Sequence, residues 1–300
     1  MTRTQANLLL LMAGAIWGIG FIAQSTAMEN IGPLWFVGLR FAIATVVALP
    51  FALLEKARAA QPVRPAHIAG FALTGLALFS GNTLQQFGLL TTSVTNSGFL
   101  TGLYVVFTPI LTVVLLRRQP HWVIWPAAAL AAFGIFLLSG GALSALTFGD
   151  GLTILCAVFC SLQLICVGLF ASRSGRPIAL SLVQFAVCAT LGCLAGALFE
   201  PVSLDAIRSA LPEILYAGLF SSGVAFICQN IAQRYTTAPQ AAIFLSSEAL
   251  FAALFGVLLL GETIPPMGYA GCAIIFAAML AVELVPELAR MRRTGRRVEV

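Results

Sequence analysis

Apolar stretches alternate with short polar breaks along nearly the whole chain, each close to the roughly 20 residues that an α-helix needs to cross a bilayer. Ten such stretches predict ten transmembrane helices: residues 7–26, 33–54, 66–89, 95–116, 122–143, 149–170, 178–199, 214–233, 239–260 and 265–284. The breaks between them are too short to hold a soluble catalytic or binding domain. The expected fold is therefore an all-α membrane protein whose work is done inside the bilayer.

The pattern repeats. The stretch NTLQQFGLLTTSVTNSGFLTGLYVVFTPILTVVLLRRQ from Asn82 matches FICQNIAQRYTTAPQAAIFLSSEALFAALFGVLLLGET from Phe226, 144 residues later. Gln85 falls on Gln229 and Gly98 on Ala242, whereas the basic pair Arg117-Arg118 falls on Gly261-Glu262 and uncharged Leu90 on Arg234. Five helices per copy is an odd number, so the second copy must enter the membrane from the opposite side. The predicted organisation is a first five-helix repeat at 1–146, an inverted second repeat at 147–284, and a basic tail at 285–300. Inverted repeats of this kind place a substrate cavity where the halves meet, across a pseudo-two-fold axis in the membrane plane.

Composition excludes a water-soluble surface, since 60% of the residues are hydrophobic and 9% charged. Fourteen of the sixteen Lys and Arg fall at the N-terminus, after the even-numbered spans or in the tail, the exceptions being Arg40 and Arg208. Acidic residues such as Glu29, Asp150, Glu200 and Glu262 occupy the other side. Because positive loops stay cytoplasmic during insertion, both termini are expected in the cytoplasm. The tail RMRRTGRR is then a topology anchor near anionic lipid, not a nucleic-acid contact.

Arg3, an apolar stretch and Ser25-Thr26-Ala27 also fit a cleavable secretory signal. However, LMAGAIWGIGFIAQS from Leu11 has a counterpart in ILCAVFCSLQLICVG from Ile154, and cleavage would remove the first repeat's opening helix, so retention is expected. All seven Cys lie in the second half, and Cys156 and Cys160, one helical turn apart, have no nearby His or carboxylate. They read as reduced packing residues; neither a metal nor a cofactor is expected.

A polar side chain inside a span is costly unless it faces protein or water, which makes such residues the candidates for a binding site. Phe79, Asn82, Gln85 and Gln86 cluster in the third span, and Ser221, Ser222, Gln229 and Asn230 in the eighth. Their amides both donate and accept, which suits a zwitterion; interhelical bonding is the competing use. Trp17 and Gln163 stand at mid-depth in corresponding helices, with Thr101 and Tyr104 in the fourth span and Ser246 in the ninth. Glu248 reads either as a proton carrier or as a packing carboxyl. Arg40 reads either as an anion ligand or as a brace snorkelling to the interface. Pro50 and Pro109 mark bends inside spans, and the pairs Gly14/Gly18, Gly98/Gly102 and Gly192/Gly196 mark close helix packing.

The segments AGAIWGIGFIAQ, GLRFAIATVVALP and above all FLSSEALFAALFGVLLLGETIPPMGYAGCAIIFAAML resemble the EamA-type repeats of the drug/metabolite transporter superfamily. Gly261-Glu262, closing the ninth span, is the most specific feature. The resemblance implies a ten-helix inverted-repeat fold that exports amino acids or other small metabolites from bacteria. The chain is most similar to the amino-acid exporters, including the aromatic amino-acid branch. It departs from the pattern at Ala249, where a Pro often follows the Glu, and at Arg117-Arg118, which replace a Gly-Glu pair.

His67 and His121 are the only His residues and flank loops, so no HExxH zinc site exists; no GxSxG elbow and no Walker A sequence is present either. An intramembrane enzyme and a purely structural membrane protein are thereby disfavoured. The expected activity is secondary export of neutral or aromatic amino acids, or related small metabolites, from a monomer in the bacterial inner membrane. Alternating access at the central cavity is the expected mechanism, and export of other drugs or metabolites is the alternative within the superfamily.

Overall fold

The computed structural model describes residues 1–59, 62–92, 94–138, 147–260, 264 and 266–295. The Gly261-Glu262 pair, the repeat junction at residue 146 and the last tail arginines, Arg296 and Arg297, lie outside these residues. Among the described residues all regular structure is helical. The first half carries α1 (Arg3–Ala27), α2 (Pro33–Arg58), α3 (Pro65–Leu89), α4 (Val94–Gly102), α5 (Tyr104–Leu116) and α6 (Ile124–Leu138). The second carries α7 (Phe148–Ser174), α8 (Pro177–Phe199), the short α9 (Leu204–Ser209) and α10 (Leu211–Tyr216). A π-helical segment (Ala217–Ala225) then leads into α11 (Phe226–Ala232), α12 (Ala238–Leu245), α13 (Ser247–Leu260) and α14 (Pro266–Gly295).

Eight helical stretches among the described residues are long and apolar enough to cross a membrane. Of the remaining expected spans, α3 has 25 residues but is diluted by Asn82, Gln85 and Gln86, and α6 has 15 described residues.

Three spans that read as continuous are interrupted. The fourth breaks at Leu103, between α4 and α5. Pro109 has no N–H to continue the ladder, and the carbonyl of Tyr104 accepts from the hydroxyls of Thr108 (2.6 Å) and Ser161 (3.3 Å). The ninth breaks at Ser246, whose hydroxyl turns back onto the Ile243 carbonyl at 2.6 Å. Glu248, expected near the centre of a single helix, is therefore the second residue of α13. The eighth span widens into the π segment, which contains Gly218 and Gly223.

Apolar side chains gain little by leaving lipid for one another, so these helices need close packing and internal hydrogen bonds. The α2–α8 pair supplies both. A Cβ on Gly38 would lie 2.6 Å from the Cys193 backbone nitrogen, and one on Gly192 would lie 2.6 Å from Gly38 Cα. Each helix opens with proline and is capped by a carboxylate from the end of its partner. The Glu200 carboxylate accepts from the Leu34 and Trp35 amides at 3.0–3.1 Å. The Glu55 carboxylate accepts from the Ile178 and Ala179 amides at 3.1 and 2.9 Å and pairs with Arg176. Leu34 and Ile178, like Trp35 and Ala179, stand 144 positions apart. Amides at a helix start have no intrahelical partner, and the helix dipole favours a carboxylate there.

Other contacts fill in around this pair. Helix α3 packs on α7 and α8, α6 on α14, and α1 on α13 and the π segment. The close faces at Gly14 and Gly18 lie against Ser247 and Ala252 within the chain, whereas Gly98 has open space around it.

Gly38→Ala should lower stability in detergent by about 1–3 kcal/mol through overpacking. Gly98→Ala, where an added Cβ meets nothing, should be neutral or slightly stabilising. Thermal unfolding midpoints of the two variants check this, and equal midpoints would contradict the close contact.

Candidate functional site

A cavity of about 680 Å³, open solvent included, is lined by residues of both halves, among them Arg40 of α2. Its apolar wall includes Phe21 from α1, Leu78 from α3 and Leu245 from α12. Trp17 and Phe226 stand together on it, with ring centroids 4.8 Å apart. The indole nitrogen of Trp17 donates to the Ser221 carbonyl at 2.9 Å, so the π segment is held by the side chain that helps form the wall.

Polar groups enter the cavity in two sets. In the first, Arg40 on α2 donates through Nη1 to Gln24 Oε1 on α1 at 3.1 Å and through Nη2 to Asn82 Oδ1 on α3. Gln86 Nε2 donates to the same Gln24 oxygen at 2.6 Å. In the second, Gln184 on α8 accepts from Gln163 Nε2 on α7 at 3.4 Å, and Gln163 Oε1 accepts from Gln229 Nε2 on α11 at 3.0 Å. Gln229 also donates to Gln233, which reaches the Leu164 carbonyl. Gln184 stands 144 positions after Arg40, and Gln229 stands 144 after Gln85. The networks thus share one corresponding position, charged at Arg40 and neutral at Gln184.

The cavity's carboxyl is Glu248, 8% exposed, with Oε1 accepting from the Tyr104 hydroxyl at 3.1 Å. Tyr104 and Glu248 are also 144 positions apart. Gln85 donates to Thr101 at 3.0 Å alongside.

Ten of the residues singled out in the sequence share this cavity: Trp17, Arg40, Asn82, Gln85, Thr101, Tyr104, Gln163, Ser221, Gln229 and Glu248. Five do not line it, among them Asn230, which donates to Ser181 on α8 at 2.8 Å. Phe79 packs beside the cluster of Phe41 and Phe185, Gln86 lies behind Gln24, Ser222 is buried in the π segment, and Ser246 is spent on the kink. Arg40 does not snorkel to the interface; it is 2% exposed and lies 5.1 and 5.3 Å from the ring centroids of Phe41 and Phe36. Gln24 was not singled out, although an amide within a span is itself a signal. Cys156 and Cys160, expected only to pack, line the cavity with their sulfurs 3.7 Å apart.

A second, larger cleft of about 1480 Å³, open solvent included, is lined by Arg3, Arg118, His121 and Arg173. Ile165 and Gly168 face this cleft while Gln163 and Leu164 face the central cavity, so one stretch of α7 borders both spaces. Close to this cleft, Glu283 of α14 accepts from Asn7 at 2.5 Å and pairs with Arg3, and Gln240 donates to Asn7 at 3.3 Å.

The profile of the EamA-like transporter family matches the chain twice, over residues 4–140 and 147–284. The chain belongs to the EamA-like transporter family. It is 31% identical to an uncharacterized transporter of Archaeoglobus fulgidus over 283 residues, covering 94% of this chain and 87% of that one. An S-adenosylmethionine/S-adenosylhomocysteine transporter of Chlamydia trachomatis is 27% identical, with 90% of this chain and 89% of that one covered. The transporter YwfM of Bacillus subtilis is 28% identical over 93% of this chain and 94% of its own. A solved crystal structure with 19% identity superposes over the whole of both chains with a TM-score of 0.77, a likeness of fold. This EamA-like protein is thus a multi-pass membrane transporter of small molecules.

A variant retaining only Cys160, which lines the cavity and is partly exposed, should react with a small water-soluble methanethiosulfonate. One retaining only Cys188, fully buried against the Gly75 carbonyl, should remain unmodified. Mass spectrometry of the labelled proteins checks the difference; equal labelling would contradict the cavity wall.

Proposed function

We propose that this EamA-like protein is a secondary transporter that exports neutral or aromatic amino acids, or related small metabolites, by alternating access. Its ten transmembrane helices form two inverted five-helix units, residues 1–146 and 147–284, with 285–300 as a basic cytoplasmic tail. It acts as a monomer in the bacterial inner membrane and not as an enzyme. The observation that carries the reading is the bond between Tyr104 and Glu248. Residues at corresponding positions of two copies meet at the cavity wall, as they do near an axis relating two opposed units. The reciprocal caps of α2 and α8 by Glu200 and Glu55 support the same arrangement. So do the two family matches.

The substrate-binding residues on this reading are Trp17, Asn82, Gln85, Thr101, Tyr104, Gln163 and Gln229, with Phe79, Gln86, Ser222 and Ser246 supporting the wall from behind. Glu248 carries the proton exchanged for substrate, and Arg40 fixes the first polar network. The cleft with Arg3, Arg118 and Arg173 is the cytoplasmic mouth, in line with positive loops remaining inside. A C-terminal reporter active only in the cytoplasm should give signal in intact cells; a signal only from a periplasm-active reporter would overturn this orientation.

A second reading, transport of an adenosyl-bearing amino acid, is favoured by the relative whose name gives S-adenosylmethionine and S-adenosylhomocysteine. Proteoliposomes separate the two. The purified protein should carry tryptophan, phenylalanine or leucine in the direction opposite to protons running down their gradient, and Glu248→Gln should abolish the gradient's effect on flux. Flux of S-adenosylmethionine alone would select the second reading. Absence of both would reject amino-acid export, and unchanged gradient dependence in Glu248→Gln would reject the coupling role.

A further inference from the structure

The charge distribution in the cavity carries an inference about how substrate is oriented. Arg40 is 2% exposed and yet belongs to none of the three ion pairs among the described residues. Its two terminal nitrogens are held by the neutral oxygens of Gln24 and Asn82, which fix the guanidinium plane without neutralising it. Its Nε has no acceptor. The aromatic rings of Phe36 and Phe41 flank the group and keep water away. Burying a guanidinium without a counter-charge is costly, and such a group is preorganised for an anion that arrives from outside the protein.

The corresponding position in the second half holds Gln184, already bonded to Gln163. One wall of the cavity is therefore cationic and the other amide-lined, with the remaining acid, Glu248, bonded to Tyr104. A single fixed cation, beside a cavity that also contains a carboxyl, matches a singly charged planar anion better than a doubly charged phosphate.

We propose that Arg40 is the carboxylate anchor of the transport site: substrates carry a carboxylate that docks against the Arg40–Gln24–Asn82 network, with their apolar part on Trp17 and Phe226. The assignment deepens the proposed amino-acid reading and rests on its cavity. It makes Arg40 a specificity-determining residue and leaves the opposite wall, at Gln163 and Gln229, without an anion site.

The test uses binding to the full-length purified protein, with tryptophan, indole-3-propionate (no ammonium group) and tryptamine (no carboxylate) as probes. Tryptophan and indole-3-propionate should bind at least about tenfold more tightly than tryptamine, the scale of one charge-assisted bidentate contact. In Arg40→Gln the three affinities should converge to within about twofold, with tryptamine binding retained as the sign of an intact fold. Equal binding of tryptamine and indole-3-propionate to the unaltered protein would overturn the anchor without any variant. A uniform loss for all three probes in folded Arg40→Gln would overturn it in favour of bracing. If amino-acid flux is absent while the carboxylate preference holds, only the amino-acid reading fails; if flux is present without that preference, only the anchor fails.

Discussion

The contact between α2 and α8 is the constraint on which the other helices depend. Its centre is a pair of glycines, Gly38 and Gly192, so close that neither position has room for a methyl group. Its ends are closed by carboxylates, Glu200 on the start of α2 and Glu55 on the start of α8. The first amides of a helix have no partner within it, and each carboxylate satisfies two of them while meeting the positive end of the helix dipole. The two interactions also fix different things. The glycines set the distance between the helices, and the carboxylates set how far one slides along the other. With distance and register fixed, α3 lies against α7 and α8, and α1 against the π segment and α13. The cavity is the space these elements cannot fill.

Within that space the polar groups follow the rule that none is left to lipid, but they do so unequally. Gln163, Gln184, Gln229 and Gln233 bond to each other as neutral amides, with Gln184 Nε2 and Gln229 Oε1 left without a partner. Arg40, Gln24, Asn82 and Gln86 form a network of similar placement that contains an uncompensated charge. Such networks gain from mutual polarisation when complete and are costly when incomplete. An incomplete one that also lines a cavity serves recognition better than stability. The same contrast holds between Tyr104 and Glu248, where one half contributes a neutral hydroxyl and the other an ionisable carboxyl.

Sequence reasoning located most of the wall because polar residues inside apolar spans are few and each needs a reason. Trp17, Asn82, Gln85 and Gln163 emerged from that rule alone. Gln24 would have emerged too, but it stands near the end of its span, where a polar residue attracts less notice. Phe79 and Gln86 share a helical face with Asn82 on the unbroken α3 but pack behind the wall, whereas Ser222 and Ser246 stand where their spans are irregular. Spacing assigns a face only while the ladder is regular, and Ser222 lies in the π segment while Ser246 is itself the kink. Glu200 reads in the sequence only as an acid of the outer side, and neither it nor Glu55 reads as a cap. A carboxylate at the end of one helix acquires meaning only when the start of another is placed beside it. The snorkelling alternative for Arg40 failed because Gln24 and Asn82, acceptors on two other helices, offer the guanidinium more than the interface does.

The interruptions in the helices bear on movement. A regular α-helix resists bending because each turn is tied to the next, whereas a residue with a missing or diverted bond yields at lower cost. The structure has such places at Leu103, at Ser246 and in Ala217–Ala225. All three border the cavity: Tyr104 follows the first, Glu248 closely follows the second, and Ser221 lies within the third. Helices α2 and α8, by contrast, run without a break and are locked at both ends, despite Pro50 inside α2. Alternating access, on the reading proposed above, requires the cavity wall to be re-aimed while some frame stays fixed. The α2–α8 pair has the properties of that frame. The kinked helices bearing Tyr104 and Glu248 have those of the moving parts. Arg40 belongs to the frame, so an anion held there would stay in place while the opposite wall changes the side to which it opens.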